Sequence, residues 1–249
     1  MPAEAGGQRA RIMATAEVKA LCFDVFGTVV DWRASIAREA AAAFAGRGIE
    51  RDGHAFADAW RARYQPAMED VRSGRRPWTR LDVLHRENLL AVLDEFGIED
   101  LSASEIDQLN RAWHRLDPWP DVTPGLARLK RTFILATLSN GDVAMMVAIA
   151  RRAGLPWDVI LGAEVARAYK PQPEAYLRSA ALLDLAPAAC MMVAAHNSDL
   201  AAAGALGFRT AYVGRPTEQG RNQSTDLGPA SDYDVVAASF TELADKLGC

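Results

Sequence analysis

The stretch V-K-A-L-C-F-D-V-F-G-T-V-V at 18–30 restricts the fold more than any other part of the chain. Its apolar run, Ala20 to Phe23, ends at one carboxylate, Asp24, and Gly27 and Thr28 follow. Apolar residues on both faces of so short a run read as a strand buried in a parallel sheet. The glycine lets the chain turn sharply where the strand stops. Asp24 then stands at the carboxyl end of a buried strand, where open α/β sheets hold their ligands. A carboxylate there is unfavourable unless cations or hydrogen-bond donors meet it. Taken alone, Asp24 also suits a turn that caps the next segment, so the groups that meet it decide the reading.

After Val30 the periodicity changes. Residues 34–117 hold almost no strand-like run. Ile36, Ala37, Ala40, Ala41 and Phe44 recur at helical spacing, and Phe56, Trp60, Tyr64 and Met68 repeat every four residues. Leu81, His85 and Leu89 do the same. Leu101 to Leu116 reads as one further helix, opened by Ser102 with Glu105 three residues on. The helices stop at Asp117-Pro118-Trp119-Pro120. From there strands and helices alternate: strands over Phe133–Leu138, Val159–Gly162, Met191–Ala194 and Thr210–Val213, with a small edge strand over Asp234–Val236. Alternation of this kind predicts an α/β fold with a doubly wound parallel sheet. The division expected is a core over 18–33 and 118–249, an all-helical insertion over 34–117 that covers the first strand's end as a cap, and a polar tail over 1–17.

Half of the residues are hydrophobic, enough for a sizeable core in 249 residues. The net charge of −4 gives no electrostatic case for nucleic acid or for an anionic membrane surface. Arg72, Arg75, Arg76 and Arg80 with Trp78 resemble a nucleic-acid patch, but the acids among the same helices make a solvated loop or an interface the better reading. Cys22, Cys190 and Cys249 match no zinc spacing and suit a reducing compartment. The tail lacks the apolar region of a signal peptide, and Met13 offers a second start. These features lead to the expectation of a cytoplasmic protein that binds neither nucleic acid nor membrane.

Polar residues follow several strands. Asp24 and Thr28 follow the first, Ser139 and Asn140 the second, Lys170 the third after a short loop, and Asn197 and Asp199 the fourth. In a parallel sheet these ends share one edge. Asp24 is a candidate nucleophile, since carboxylates form covalent ester or acyl-phosphate intermediates. Lys170 would hold it ionised, and Asp199 would position the lysine or activate water.

F-D-V-F-G-T at 23–28, L-S-N-G at 138–141, Y-K-P with P-E-A-Y at 169–176 and V-A-A-H-N-S-D at 193–199 resemble, in order and spacing, the four motifs of the haloacid dehalogenase superfamily. The resemblance runs from about residue 18 to 240. It implies a Rossmann-like core with a helical cap. Most members are magnesium-dependent phosphatases, with a second Asp where this chain has Phe26 and a further acidic ligand where it has Ala195. Both departures point instead to the L-2-haloacid dehalogenase branch, with its haloacetate and fluoroacetate dehalogenase-like members. There an Asp displaces halide from a 2-haloacid and the resulting ester is hydrolysed without metal or other cofactor.

By that resemblance Asp24 is the nucleophile, Thr28 and Ser139 orient it or bind the substrate carboxylate, and Lys170 is its charge partner. Tyr176 lies near the pocket, and Asp199 assists hydrolysis. Arg61 meets substrate and halide, with Asn140 on the halide side and Phe26 beside the nucleophile. His196 and Asn197 replace the serine and asparagine that well-known members carry there, and His196 is placed to donate to a departing halide. The implied partners are a small haloacid and halide, and a homodimer is compatible with the family. The alternative is a magnesium-dependent phosphatase with altered motifs.

Overall fold

The computed structural model describes residues 18–99 and 101–249, so the tail expected over 1–17 lies outside the described residues. Strand β1 (Ala20–Phe23) is buried at every position, as its unbroken apolar run requires. A tight turn at Gly27 (φ +87°) leads to β2 (Val30–Asp31). The described residues that follow are helical: α1 (Trp32–Ala45), α2 (Gly53–Ala62), α3 (Tyr64–Arg72), α4 (Leu81–Glu95), α5 (Ala103–Asn110) and a 3-10 turn at Arg111–His114. The chain then pairs β3 (Asp117–Pro118) antiparallel with β2, Val30 opposite Pro118 and Asp31 opposite Asp117. The helical cap therefore leaves the core and returns to it at one ribbon. Trp119 secures the junction, its backbone N–H donating to Val29 O (3.1 Å) and its indole Nε1 to Gly27 O (2.8 Å).

Two expectations about the cap change. The stripe Phe56, Trp60, Tyr64 and Met68 is buried throughout but spans two helices that break at Arg63. Pro66 explains the break: it has no N–H for the carbonyl of Ala62, and its ring crowds the preceding turn. The helix expected over Leu101–Leu116 ends at Asn110 and tightens into the 3-10 turn, which seats Trp113 against His85, Trp60 and Phe26 at ring-centroid distances of 4.2, 5.5 and 5.8 Å. The capping box of Ser102 and Glu105 forms as the sequence predicts.

Beyond β3 the alternation is as expected: α6 (Val122–Leu129), β4 (Ile134–Ser139), α7 (Val143–Ala153), β5 (Val159–Gly162), α8 (Ala163–Ala166), α9 (Pro173–Leu182), β6 (Cys190–Ala194), α10 (Asn197–Ala205), β7 (Arg209–Val213), β8 (Val235–Ala237) and α11 (Phe240–Lys246). The sheet order is β5-β4-β1-β6-β7-β8, every pair parallel. Strand connections fan out in opposite directions from β1, which makes its carboxyl end the topological switch point. Side chains alternate across the sheet: Leu21 and Phe23 enter one core, which continues into the cap, and Ala20 and Cys22 enter the other. Among the described residues no helix is long and apolar enough to cross a membrane.

The arginine-rich stretch lies where cap and core meet. Arg72 pairs with Glu69 (2.8 Å) and donates to Lys170 O (3.0 Å), Arg75 pairs with Asp70 and Arg76 with Glu87. Trp78 packs on Tyr169 at 4.8 Å. Arg80, the residue before helix α4, supplies no side-chain N-cap. Asp142, at the start of α7, provides it across the interface. Its two oxygens accept from the backbone N–H groups of Leu81 (3.0 Å) and Asp82 (2.9 Å). Burial, with Asp82 and Glu164 nearby, pushes the Asp142 carboxyl up to about 6 against the pull of those two amides.

Candidate active site

Polar residues end or follow the strands around β1, and the parallel register brings these strand ends together at one edge. Asp24 follows β1 and is 94% buried. Its Oδ1 accepts from Lys170 Nζ at 2.9 Å, and its Oδ2 from Thr28 Oγ1 at 2.7 Å. Thr28 Oγ1 in turn accepts from the backbone N–H of Ala195 at 2.9 Å, which fixes the hydroxyl as a donor to Asp24. Lys170 Nζ also donates to Asp199 Oδ2 at 2.5 Å, and Tyr176 OH donates to Asp199 Oδ1 at 2.6 Å. Asn140 Oδ1 accepts from the Lys170 backbone N–H at 2.8 Å and so sets where the lysine leaves its loop.

One buried ammonium thus bridges two buried carboxylates. Burial by itself raises a carboxyl group, but Lys170 and then His196 overcome it and hold Asp24 well below the usual carboxylate range. Burial alone would lower Lys170. Asp199 and Asp24 outweigh that and hold it above its ordinary value. Burial, reinforced by the Asp199 carboxylate, keeps the Tyr176 phenol protonated. Asp24 is therefore an ionised carboxylate held in a fixed orientation, as a nucleophile must be.

His196 closes the other side. Its Nδ1 lies 3.1 Å from Asp24 Oδ2 and its Nε2 2.9 Å from Glu218 Oε2. Glu218 is 98% buried, and its Oε1 accepts from Trp32 Nε1 at 2.8 Å. Burial opposes the imidazolium, yet Glu218 and Asp24 hold His196 well above its ordinary value. The Glu218 carboxylate fits because residue 27 is glycine: a Cβ there would lie 2.0 Å from Oε1. Glu218 is the site residue that sequence reasoning missed. It sits in a loop without periodicity, and Gly27 on its own signals only a turn.

The cap supplies an aromatic box around one cation. The Arg61 guanidinium carbon lies 4.0 Å from the Tyr64 ring centroid, 5.2 Å from Trp32 and 6.0 Å from Phe26. Its Nη1 is buried and has no hydrogen-bond partner among the described residues. A cavity of about 310 Å³ lies between cap and core, lined by Asp24, Phe26, Arg61, Tyr64, Gln65, Asn140, Lys170, Tyr176, His196, Ser198, Asp199 and Asp226, among others. Of the cap aromatics, Tyr64 lines it. Trp60 is buried and donates to His85 O, and Trp78 packs on Tyr169.

Two expected residues lie elsewhere. Ser139 is fully buried at the end of β4, and its Oγ accepts from the Gly141 N–H at 3.1 Å. Asn197 opens α10, and its amide turns toward the loop after β7: it donates to Asp226 Oδ1 (2.7 Å) and Gly228 O (3.0 Å) and accepts from the Ala230 N–H (2.8 Å). The helical turn that brings Asp199 to Lys170 sends Asn197 away from the cavity. The residues present do not fit a divalent cation. Magnesium needs free carboxylate oxygens, and those of Asp24 and Asp199 are engaged by Lys170, Thr28, His196 and Tyr176. Among the described residues no group of three or more His, Cys, Asp and Glu side chains is arranged to hold a metal ion.

Comparison with known proteins identifies the family. Residues 18–207 match the haloacid dehalogenase-like hydrolase family. The (S)-2-haloacid dehalogenase of Xanthobacter autotrophicus is 30% identical over 207 residues, 81% of this chain and 77% of that protein. The crystal structure of a defluorinating L-2-haloacid dehalogenase is 50% identical with a TM-score of 0.92, covering 93% of this chain and 96% of the other. A second L-2-haloacid dehalogenase structure is 45% identical with a TM-score of 0.90, covering 93% and 99%. The chain belongs to the haloacid dehalogenase-like hydrolases, on their L-2-haloacid dehalogenase branch.

Proposed function

We propose that this protein hydrolyses short L-2-haloacids, haloacetates included, to 2-hydroxy acids and halide, without a metal, through an ester on Asp24. The observation that carries the proposal is the position of Lys170, whose ammonium binds Asp24 and Asp199 together. It keeps the nucleophile ionised without a divalent cation. An Asp24 oxygen attacks the substrate Cα in line, the carbon–halogen electron pair leaves with the halide, and the carbon inverts. Arg61, with its buried unpaired Nη1 facing an aromatic box, is the cation that meets the leaving halide and the substrate carboxylate. Water then attacks the Asp24 carbonyl carbon and releases the hydroxy acid. Phe26 offers no proton to a leaving alcohol. It packs at the cavity wall against Tyr64 and Trp113, which suits a halide that leaves unprotonated. A solved relative at 50% identity is described as defluorinating, so fluoride belongs among the candidate leaving groups.

The test is halide release from chloroacetate, L- and D-2-chloropropionate and fluoroacetate, with EDTA present. The expected result is release from chloroacetate and the L-isomer and none from the D-isomer. Loss of all turnover with EDTA, or turnover of p-nitrophenyl phosphate with magnesium and of no haloacid, would overturn the proposal.

A further inference from the structure

We propose that His196 is the general base for hydrolysis of the Asp24 ester, and that Glu218 is a positioning residue that fixes which ring nitrogen faces the attacking water. This rests on the ester reading above.

The argument begins with direction. In an in-line displacement the attacking oxygen and the departing halide stand on opposite sides of the substrate carbon. His196 Nδ1 is 3.1 Å from Asp24 Oδ2 and so stands on the nucleophile's side. A ring nitrogen bonded to the attacking carboxylate cannot also face the halide, and that end of the substrate is left to Arg61. The second half-reaction reverses the requirement. Water attacks the Asp24 carbonyl carbon, and its base must stand beside that carboxyl group, where Nδ1 is.

Glu218 selects the tautomer. Its Oε2 lies 2.9 Å from Nε2 and takes the Nε2–H, which leaves the lone pair of the neutral ring on Nδ1. Glu218 is itself fixed by Trp32 Nε1 and by the missing side chain at Gly27. Asp199, to which the family resemblance gives water activation, has both oxygens engaged, Oδ1 by Tyr176 and Oδ2 by Lys170.

Charge supplies the timing. While Asp24 is a carboxylate, two anions flank the ring and hold it protonated. Esterification neutralises Asp24, so the ring loses one of its two anions and the Nδ1 proton is released to solvent. His196 also lines a second cavity of about 450 Å³, beside Arg61 and Glu218, which gives that proton a route. The other charged side chains that share these cavities with His196 are Arg61, Lys170, Asp58, Asp199 and Asp226, and none of them changes charge in the step. Water then bonds to the Asp24 carbonyl carbon as Nδ1 takes one of its protons. The bond from the Asp24 carbonyl carbon to the ester oxygen breaks, and that oxygen, which came from Asp24, takes the proton from Nδ1 and leaves as the hydroxyl of the product. The second water proton leaves the new carboxyl group for Nδ1, restoring the carboxylate and the imidazolium.

The test mixes L-2-chloropropionate with wild type and with His196→Asn. The variant is expected to release one chloride per site in a burst, with Lys170 still holding Asp24 ionised, then turn over about 10² to 10⁴-fold more slowly, with the ester visible on Asp24 by mass spectrometry. Glu218→Gln removes an anion beside the ring, so the acid limb of ester decay in single turnover shifts to lower pH. Glu218→Asp restores part of it. A purely structural role would lower the rate equally at every pH. A slowed burst with no trapped ester in His196→Asn would place His196 in the displacement step and overturn the proposal. Ester trapped in Asp199→Asn while His196→Asn turns over normally would give the role to Asp199. Failure of the wild-type enzyme to release halide would overturn the ester reading itself.

Discussion

The two walls of the cavity are built on opposite principles. On the core wall every named charge has a partner before any substrate arrives: Lys170 with Asp24 and Asp199, Thr28 with Asp24, Tyr176 with Asp199, His196 with Asp24 and Glu218. The cap wall and the packing behind it hold buried polar atoms with no partner among the described residues: Arg61 Nη1, both ring nitrogens of His85, and Trp113 Nε1. Buried polar groups in folded proteins are almost always hydrogen-bonded, and of these exceptions Arg61 is the one that lines the cavity. On the proposed mechanism the core wall is organised for the nucleophile, Asp24, and the cap wall, through Arg61, for the substrate. Burial holds His85 far below its ordinary value, so it adds no second charge beside Arg61. On that proposal, orientation of the attacking group is separated from recognition of what it attacks.

Substitutions on each wall sharpen this contrast. The largest effect is expected from Lys170→Met. Breaking a buried ion pair by removing one partner costs about 3–5 kcal/mol, here with two carboxylates left facing each other. Thermal unfolding should show that loss, and halide release should fall steeply and gain a dependence on pH. Lys170 depresses Asp24 in the folded state, so the pair's stabilisation is present above the ordinary carboxylate pKa and lost only as pH falls below it. In the variant the Asp24 pKa rises, and activity should drop as the solution is acidified through the weakly acid range. An activity profile unchanged in shape would show that the lysine does not set the nucleophile's charge.

On the cap wall, Arg61→Lys keeps the charge but loses the planar fork and the stacking on Tyr64. A hydrogen bond to a charged group is worth about 1.5–3 kcal/mol, so kcat/KM should fall by roughly ten- to hundredfold with little change in thermal stability. A loss of stability instead would mean that Arg61 serves the fold.

The smallest effect belongs to the seam between the walls. Asp142→Ala removes the N-cap of α4 and should destabilise the protein by about 1 kcal/mol. Asp142→Asn tests its charge. The carboxyl pKa, at about 6, lies above its unfolded value. The folded state therefore takes up a proton first as pH falls through 6, and this group's contribution to stability rises toward pH 4. Denaturant unfolding at pH 4 and pH 7 should show that slope in the wild type and a weaker one in the variant.

The core wall was legible in the sequence because its residues sit in short motifs at strand ends, and a parallel register must gather those ends. Asp24, Lys170 and Asp199 come together for that reason. The parts that were not legible depend on side-chain direction or on distant loops. Asn197 is next to His196 in sequence, but at the start of the helix its amide turns to the loop at Asp226 and Gly228 instead of into the cavity. Glu218 reaches the site from a loop whose composition says only that it bends. Its signal was the absence of a side chain at Gly27, which three-dimensional packing alone explains. Arg61 stands out only through resemblance, since an arginine on a helix carries no mark of which way it points. Pro66 was the one local clue to the broken cap stripe.

The ribbon of β2 and β3 has a further consequence. The helical insertion begins and ends on two paired strands, so the sheet meets it as it would meet a hairpin loop whose ends are already side by side. The entropy of closing a loop grows only slowly with its length, by about 0.6 kcal/mol per doubling. The sheet is therefore nearly indifferent to what fills the loop. Helices in the cap can lengthen, shift or be replaced without altering the register that assembles Asp24, Lys170 and Asp199. In a chain built this way, the size and shape of the molecule admitted can diverge quickly while the bond-making apparatus stays fixed.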